Sequence, residues 1–324
     1  MKDFSGWTPM RIYWRGPEPM VDWGHLGARR FVEPFFAQTM EQCVRHPADL
    51  LFRHQTPLSQ LGEIAGSQPS MRPAGFIFHM SRCGSTLISQ MLAAAPQNIV
   101  LSEPGPIDTV LRACFREPRI SADQAGQWLQ WLVAIWAWRR NPEAKNVFLK
   151  FDCWHALFLP LIQRAFPGVP WIFVYREPVE VMASHLKQRG GQMIPGVLEP
   201  GVFGWDLRMA ASMNINEYGA RVLARVCAAA LAQSGNGKLV NYRQLPAVVW
   251  PALLEYWHVD YSAEETARML GAAQQNAKNP KRPFATDSQT KRDSTPADVR
   301  ALTEYWLGDV FQQLEAQRLA HGLA

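Results

Sequence analysis

Long apolar runs, paired cysteines and a strong charge of either sign are all missing from this sequence of 324 residues. The longest hydrophobic candidate, Trp131 to Trp138, stops at Arg139-Arg140. That is well short of the roughly 18 residues a membrane-spanning helix needs, so no span is expected. Five scattered cysteines (Cys43, Cys83, Cys114, Cys153, Cys227) form no C-x-x-C pair and have no histidines at zinc spacing. They read as reduced thiols in a cytoplasm-like compartment, and no metal-ligand cluster is expected. Met1-Lys2-Asp3-Phe4 opens no apolar stretch, which argues against a signal peptide. The net charge of +5 is too modest for a surface that coats nucleic acid. It suits an anionic small ligand held in one basic pocket. No internal repeat is present.

Hydrophobic residues make up 48% of the chain and charged residues 19%, enough to bury a sizeable core. Residues 1–70 are rich in Trp, Pro and Arg. One helix is expected there, over roughly Arg30 to Arg45, with Phe31, Phe35, Phe36, Met40 and Cys43 on its apolar face. This part reads as a helical N-terminal extension packed on a main domain of residues 71–324, the two meeting at the polar break Gly66 to Ser70. Beyond it, short apolar strands alternate with helices. The strands are Gly75–His79, Asn98–Leu101, Val147–Lys150, Trp171–Tyr175 and Lys238–Asn241. Each has few polar interruptions, as strands covered on both faces require. Helices are expected over Leu87–Ala95, from Ser121 onward with capping-box spacing to Gln124, over His155–Phe166, over 207–233 and over Ala297–Leu319. The alternation implies an α/β fold: an open, mostly parallel sheet of about five strands with helices on both faces.

The segment that carries most chemistry runs Phe76-Ile77-Phe78-His79-Met80-Ser81-Arg82-Cys83-Gly84-Ser85-Thr86-Leu87-Ile88. A strand that turns directly into a helix leaves backbone N–H groups aimed at one point, where the helix dipole favours an anion. Gly84 lets the backbone approach closely, and Ser85 and Thr86 add hydroxyls. A Walker A loop needs Lys directly after its second Gly; Ser85 stands there instead, and the basic residue, Arg82, precedes the Gly. A second element, Trp171 to Tyr175 followed by Arg176-Glu177-Pro178, continues to Ser184, eight residues beyond the Arg. Arg176 at a strand's carboxyl end can fork onto a phosphate, and Pro178 starts a helix without losing a useful donor.

Together the two elements resemble sulfotransferases that use 3′-phosphoadenosine 5′-phosphosulfate (PAPS) and release 3′-phosphoadenosine 5′-phosphate (PAP). Ser81 to Leu87 is similar to the family's P-loop-like 5′-phosphosulfate loop, in the Arg-Ser-Gly-Ser-Thr style. Arg176 and Ser184 are similar to its 3′-phosphate element, with Glu177 where Asp is usual. Phe148-Leu149-Lys150-Phe151 and Val240-Asn241-Tyr242-Arg243-Gln244-Leu245 resemble two further family segments, with substitutions, and bring in Lys150 and Tyr242. The resemblance covers about residues 72–320. The family's C-terminal basic G-x-x-G segment is absent; Lys278, Lys281, Arg282, Lys291 and Arg292, in the basic stretch 276–296, are expected to serve by charge, with a solvated basic loop as the other reading. The resemblance implies sulfuryl transfer to a hydroxyl or similar acceptor, without a metal.

Such a transfer passes through a loose in-line transition state, so positioning and cationic stabilisation dominate. Arg82 can reach the leaving oxygen, and Lys150 is a candidate second cation. Glu103 lies 21 residues after Arg82, a spacing that resembles the interval to the base of tyrosylprotein sulfotransferases. His79, Asp152, His155 and His185 are further candidate bases. A small-molecule P-loop kinase and a catalytically degenerate binding module are the competing readings. The acceptor class is open, and its pocket is expected from 1–70, 104–120 and 189–206, which carry Trp23, Phe115 and Trp205. The oligomeric state is open too.

Overall fold

The computed structural model describes residues 3–45, 47, 51–283 and 288–321, with 279–283 and 321 described by backbone alone. In chain order the main elements are β1 (Trp7–Arg15), β2 (Glu18–His25), α1 (Phe36–Cys43), β3 (His54–Pro57), β4 (Pro73–His79), α2 (Ser85–Ala94), β5 (Asn98–Ser102) and α3 (Gly105–Leu111). Next come α4 (Ala122–Trp136), β6 (Asn146–Lys150), α5 (Leu159–Ala165), β7 (Trp171–Tyr175), α6 (Pro178–Lys187), α7 (Ile215–Ala232) and β8 (Lys238–Asn241). The chain ends with α8 (Ala263–Ala273), the short hairpin β9 (Gln275–Asn276) and β10 (Asn279–Pro283), α9 (Ser288–Asp293) and α10 (Ala297–His321).

Among the described residues, β4 to β8 form a five-stranded parallel sheet in the order β5-β6-β4-β7-β8. All five residues of β7 are buried, as are Phe76, Ile77 and Phe78 of β4 and Val147, Phe148 and Leu149 of β6. A strand dry on both faces has no polar side to show, which is why these segments read as continuous apolar runs. Helices pack around the sheet, α2 against α8 and the long α10 against α6, α7 and β8. Ser121 caps α4 through its hydroxyl, which accepts from the N–H of Gln124 at 3.1 Å. None of the described helices is long and apolar enough to cross a membrane.

The N-terminal part differs from the expected helical extension. Residues 7–25 form an antiparallel hairpin, joined by β3 into a three-stranded sheet. Trp, Tyr, Val and Ile are at home on a pleated surface, and Gly16, at φ 60°, makes the turn. The expected helix over Arg30 to Arg45 shrinks to α1, because Pro34 stands just before it. This part packs on the rest through specific bonds. Arg140 donates to Trp7 O at 2.9 Å and the Trp136 indole to Pro9 O at 3.3 Å. Arg30 donates to the carbonyls of Ala93 and Ala95 at the end of α2.

Two helices are also divided. The stretch 207–233 breaks at Asn214, whose side chain accepts from the N–H groups of Asn216 and Glu217 and so starts α7 afresh. The expected helix from His155 begins as a 3₁₀ turn over Cys153–Phe158 before α5.

Candidate functional site

The carboxyl ends of β4 to β8 open onto one cavity of about 710 Å³. In an open parallel sheet this edge is where ligands bind, beside the strand from which connections leave in both directions. Here that strand is β4, with β6 on one side and β7 on the other.

Between β4 and α2 the backbone turns through left-handed conformations at Ser81 (φ 87°), Arg82 (φ 50°) and Gly84 (φ 88°). For a non-glycine residue this costs about 1–3 kcal/mol, and local bonds offset it. The Ser81 N–H donates to His79 Nδ1 at 3.0 Å, and the Cys83 thiol donates to Val174 O at 3.0 Å. Burial pushes that thiol up to about 11, so it stays protonated and holds the loop instead of reacting. Position 84 also needs glycine for space, since a Cβ would lie 2.8 Å from both Tyr242 and Leu245. The N–H groups of Ser85 and Thr86 start α2, before any i→i−4 bond can use them.

The Ser81 hydroxyl is constrained further. Its oxygen accepts from Gln192 Nε2 at 3.2 Å and faces His185 Nε2 at 3.1 Å. His185 Nδ1 already accepts from the Gly190 N–H at 3.2 Å, which puts the ring proton on Nε2. With both lone pairs engaged, the hydroxyl hydrogen is left to donate into the cavity. Arg82 lines the same wall, its guanidinium donating to Gln188 O at 2.6 Å.

Arg176, buried just past the end of β7, donates through Nε to Glu180 Oε2 at 2.5 Å and through a terminal guanidinium nitrogen, Nη2, to Ser288 Oγ at 2.9 Å. Its guanidinium lies 4.0 Å from the centre of the Tyr242 ring. Arg292 holds the other oxygen of Glu180 at 3.0 Å. Ser184 and Lys187 on α6 and the buried Lys291 on α9 line this end of the cavity. Lys281 falls where side chains lie outside the described residues.

Opposite stands Glu103, itself at φ 54°, its N–H bound to Lys150 O at 2.7 Å. Its carboxylate pairs with Lys150 Nζ, and His79 Nε2 faces Oε1 at 3.3 Å. Burial alone would raise Glu103, but the Lys150 charge and His79 outweigh it and hold the carboxyl below its ordinary range. Lys150 is only 1% exposed and does not line the cavity. The expectation that it meets the ligand as a second cation therefore changes: Lys150 sits behind Glu103 and fixes it. Two of the histidines that could have served as base are engaged elsewhere. His155 is buried against Asp108 at 3.2 Å, and His185 is committed to Ser81.

The sequence did not single out Phe35, Lys187, Gln192 or Trp154 for the site, yet all line the cavity. Phe35 carries the pattern of an ordinary core residue, and Gln192 carries no motif. Lys278, one of the cations expected from the basic stretch, lines it too. Desolvation and the charges of Arg82 and Lys150 lower Lys278 to about 8. Trp23, expected on the acceptor side, is buried in the N-terminal sheet with its indole donating to Thr56. Among the described residues no group of His, Cys, Asp and Glu is arranged to hold a metal.

Two buried histidines give this site an acid sensitivity. Burial lowers His79 to about 4 and His185 to about 3. Both are neutral in the fold, whereas the unfolded chain protonates near 6.5. The stability they contribute is complete above pH about 6.5 and drains away as pH falls toward their folded values, by roughly 1.4 kcal/mol per unit for each. Denaturant titrations between pH 7 and 4.5 should show this loss, and His185→Gln should flatten the slope.

No protein-family model and no curated protein matches the sequence. Solved structures do. The sulfotransferase domain from the curacin biosynthetic pathway is similar at 15% identity and a TM-score of 0.45, covering 79% of this chain and all of its own. A sulfotransferase from Mycobacterium avium gives 14% and 0.45, over 77% of this chain and 81% of its own. The sulfotransferase domain of the Synechococcus PCC 7002 olefin synthase gives 16% and 0.42, over 80% and 98%.

Proposed function

We propose that this chain transfers a sulfuryl group from PAPS to an acceptor hydroxyl. The observation that supports the reading is one cavity lined together by the Ser81–Leu87 loop, by Arg176 and Ser184, and by the Glu103 carboxylate. The donor set fits a nucleotide with phosphate groups at both ends. Backbone N–H groups of the loop, the hydroxyls of Ser81, Ser85 and Thr86 and the Arg82 guanidinium would hold the 5′-phosphosulfate. Arg176, Ser184 and Lys291 would hold the 3′-phosphate. Gly84 keeps the loop in its left-handed turn against Tyr242 and Leu245, where a Cβ would clash.

When bound, PAPS supplies an activated sulfuryl group. The chain's own residues do the rest. Arg82, charged at every working pH, neutralises the oxygen that leaves. Glu103, kept ionised by Lys150, takes the proton from the acceptor hydroxyl. Lys150 acts as a positioning residue, and the loop aligns the reacting atoms.

Calorimetry tests the donor assignment. PAP should bind at least about tenfold more tightly than AMP, the worth of a charge-assisted contact to the 3′-phosphate. Arg176→Ala should erase most of that difference. Equal affinities of the parent protein for PAP and AMP would sink the assignment.

A further inference from the structure

We propose that the acceptor carries a protonated amine beside its reacting hydroxyl, and that the Asp152 carboxyl binds it. This rests on the sulfuryl-transfer reading and adds the class of acceptor to it.

Asp152 lies two residues past the end of β6, next to Glu103 at the end of the paired strand β5, where Ser102 and Lys150 are in register. Both line the cavity. The positive groups around Asp152 are committed elsewhere. Lys150 pairs with Glu103, and Arg112 forks onto Asp108 at 2.6 to 3.0 Å while also holding Glu199. His155 Nε2 is 3.9 Å from Asp152 Oδ2, beyond a hydrogen bond. Its Nδ1 accepts from the Asp152 N–H at 3.2 Å, so its proton sits on Nε2 and faces Asp108 at 3.2 Å. Among the described residues, the Asp152 carboxyl thus stands between two anions with no cation of its own. Burial and the charges of Glu103 and Asp108 push it well above its ordinary range, against Lys150 and Arg112.

A second observation comes from β4. His79 is 6% exposed and lines the cavity. Its Nε2, though 3.3 Å from Glu103 Oε1, has no aligned hydrogen-bond partner among the described residues. Because Nδ1 accepts from Ser81 N–H, Nε2 carries the proton. A buried donor left unpaired is costly, so it calls for a ligand oxygen. Glu103 and His79 together match one hydroxyl: its proton goes to the carboxylate and its oxygen accepts from the imidazole. Asp152 beside them matches a second group that donates. A positive one suits it best, because it relieves the repulsion among the three carboxyls and favours the charged form of Asp152.

The test titrates PAP-bound protein with tyramine against 4-ethylphenol and with glucosamine against glucose. The amine should bind at least about tenfold more tightly in one pair or both. Its binding should be accompanied by proton release, the direction set by a carboxyl held above its ordinary range, read from heats in buffers of different ionisation enthalpy. Asp152→Asn should remove both the preference and the proton release, and Asp152→Glu should keep them. PAP affinity in each variant reports the folded donor site. If Asp152→Asn fails to bind PAP, proton release by the parent protein decides. Equal binding within both pairs, or a preference that survives Asp152→Asn, overturns the inference. Tight PAP binding without amine preference overturns it alone, whereas amine preference without PAP binding overturns the donor reading.

Discussion

Arg82→Ala should lower kcat about 10²- to 10³-fold, the usual cost of losing one donor aimed at developing charge, while PAP affinity changes only severalfold. Arg82 stands inside the loop, at the start of the turn into α2, and lines the cavity. Under the proposed sulfuryl transfer, its contact with the leaving oxygen would strengthen as negative charge builds there, so the loss would fall on the transition state and not on the ground state. Labelled PAPS turnover and PAP calorimetry on the same variant separate the two. A kcat within fivefold of the parent, or a PAP affinity that collapses together with kcat, would remove Arg82 from the role.

Glu103→Gln should preserve PAP affinity and cut turnover by about 10²-fold or more on an alcohol acceptor, the usual worth of general-base catalysis. A phenol, already acidic, should lose less. The pH profile carries a sign. Lys150 holds Glu103 ionised, so the base is available at all pH above its lowered value and fails only below the ordinary carboxylate value of about 4.3. Parent kcat/KM should therefore show no acidic limb from this group between pH 5 and 7. The substitution also leaves Lys150 buried without its anion, a loss of about 3–5 kcal/mol when such a pair is broken. A thermal melt must accompany the kinetics, and Lys150→Met in the same background should restore part of the stability. Near-parental kcat on an alcohol would send the search for the base to His79 or Asp152, since His155 and His185 are already tied to Asp108 and Ser81.

The five strands of the main sheet and the two anion loops were readable because each is local. A dry strand must be apolar throughout, and a loop that turns into a helix must spend Gly, Ser and Thr within a few positions. The N-terminal sheet was not readable in the same way. Its strands carry Arg and Pro among their Trp and Tyr, and the helical spacing of Phe31, Phe35 and Met40 drew attention from the hairpin at Gly16. The lining of the cavity was legible where one segment supplies several of its residues, as at Ser81 to Thr86, or where a strand end does, as at Arg176. Where chemistry comes from pairs far apart in the chain, it was hidden. Lys150 could be seen as a cation but not as the partner of Glu103, and nothing in the string of residues joins Gln192 and His185 to Ser81.

Phe35 lies just ahead of α1, yet its ring sits 5.4 Å from Lys150 Nζ and 5.7 Å from Lys278 Nζ, against the cavity. This wall of the cavity is therefore quilted from three distant stretches of chain: the N-terminal segment at Phe35 and the turn of the β9–β10 hairpin at Lys278 line it, and the buried Lys150 at the end of β6 lies behind them. Such a wall inherits its shape from all three at once. Under the proposed function, exchanging the segment around Phe35 for that of another chain would be expected to alter acceptor preference while leaving the Ser81–Thr86 loop and Arg176 in place.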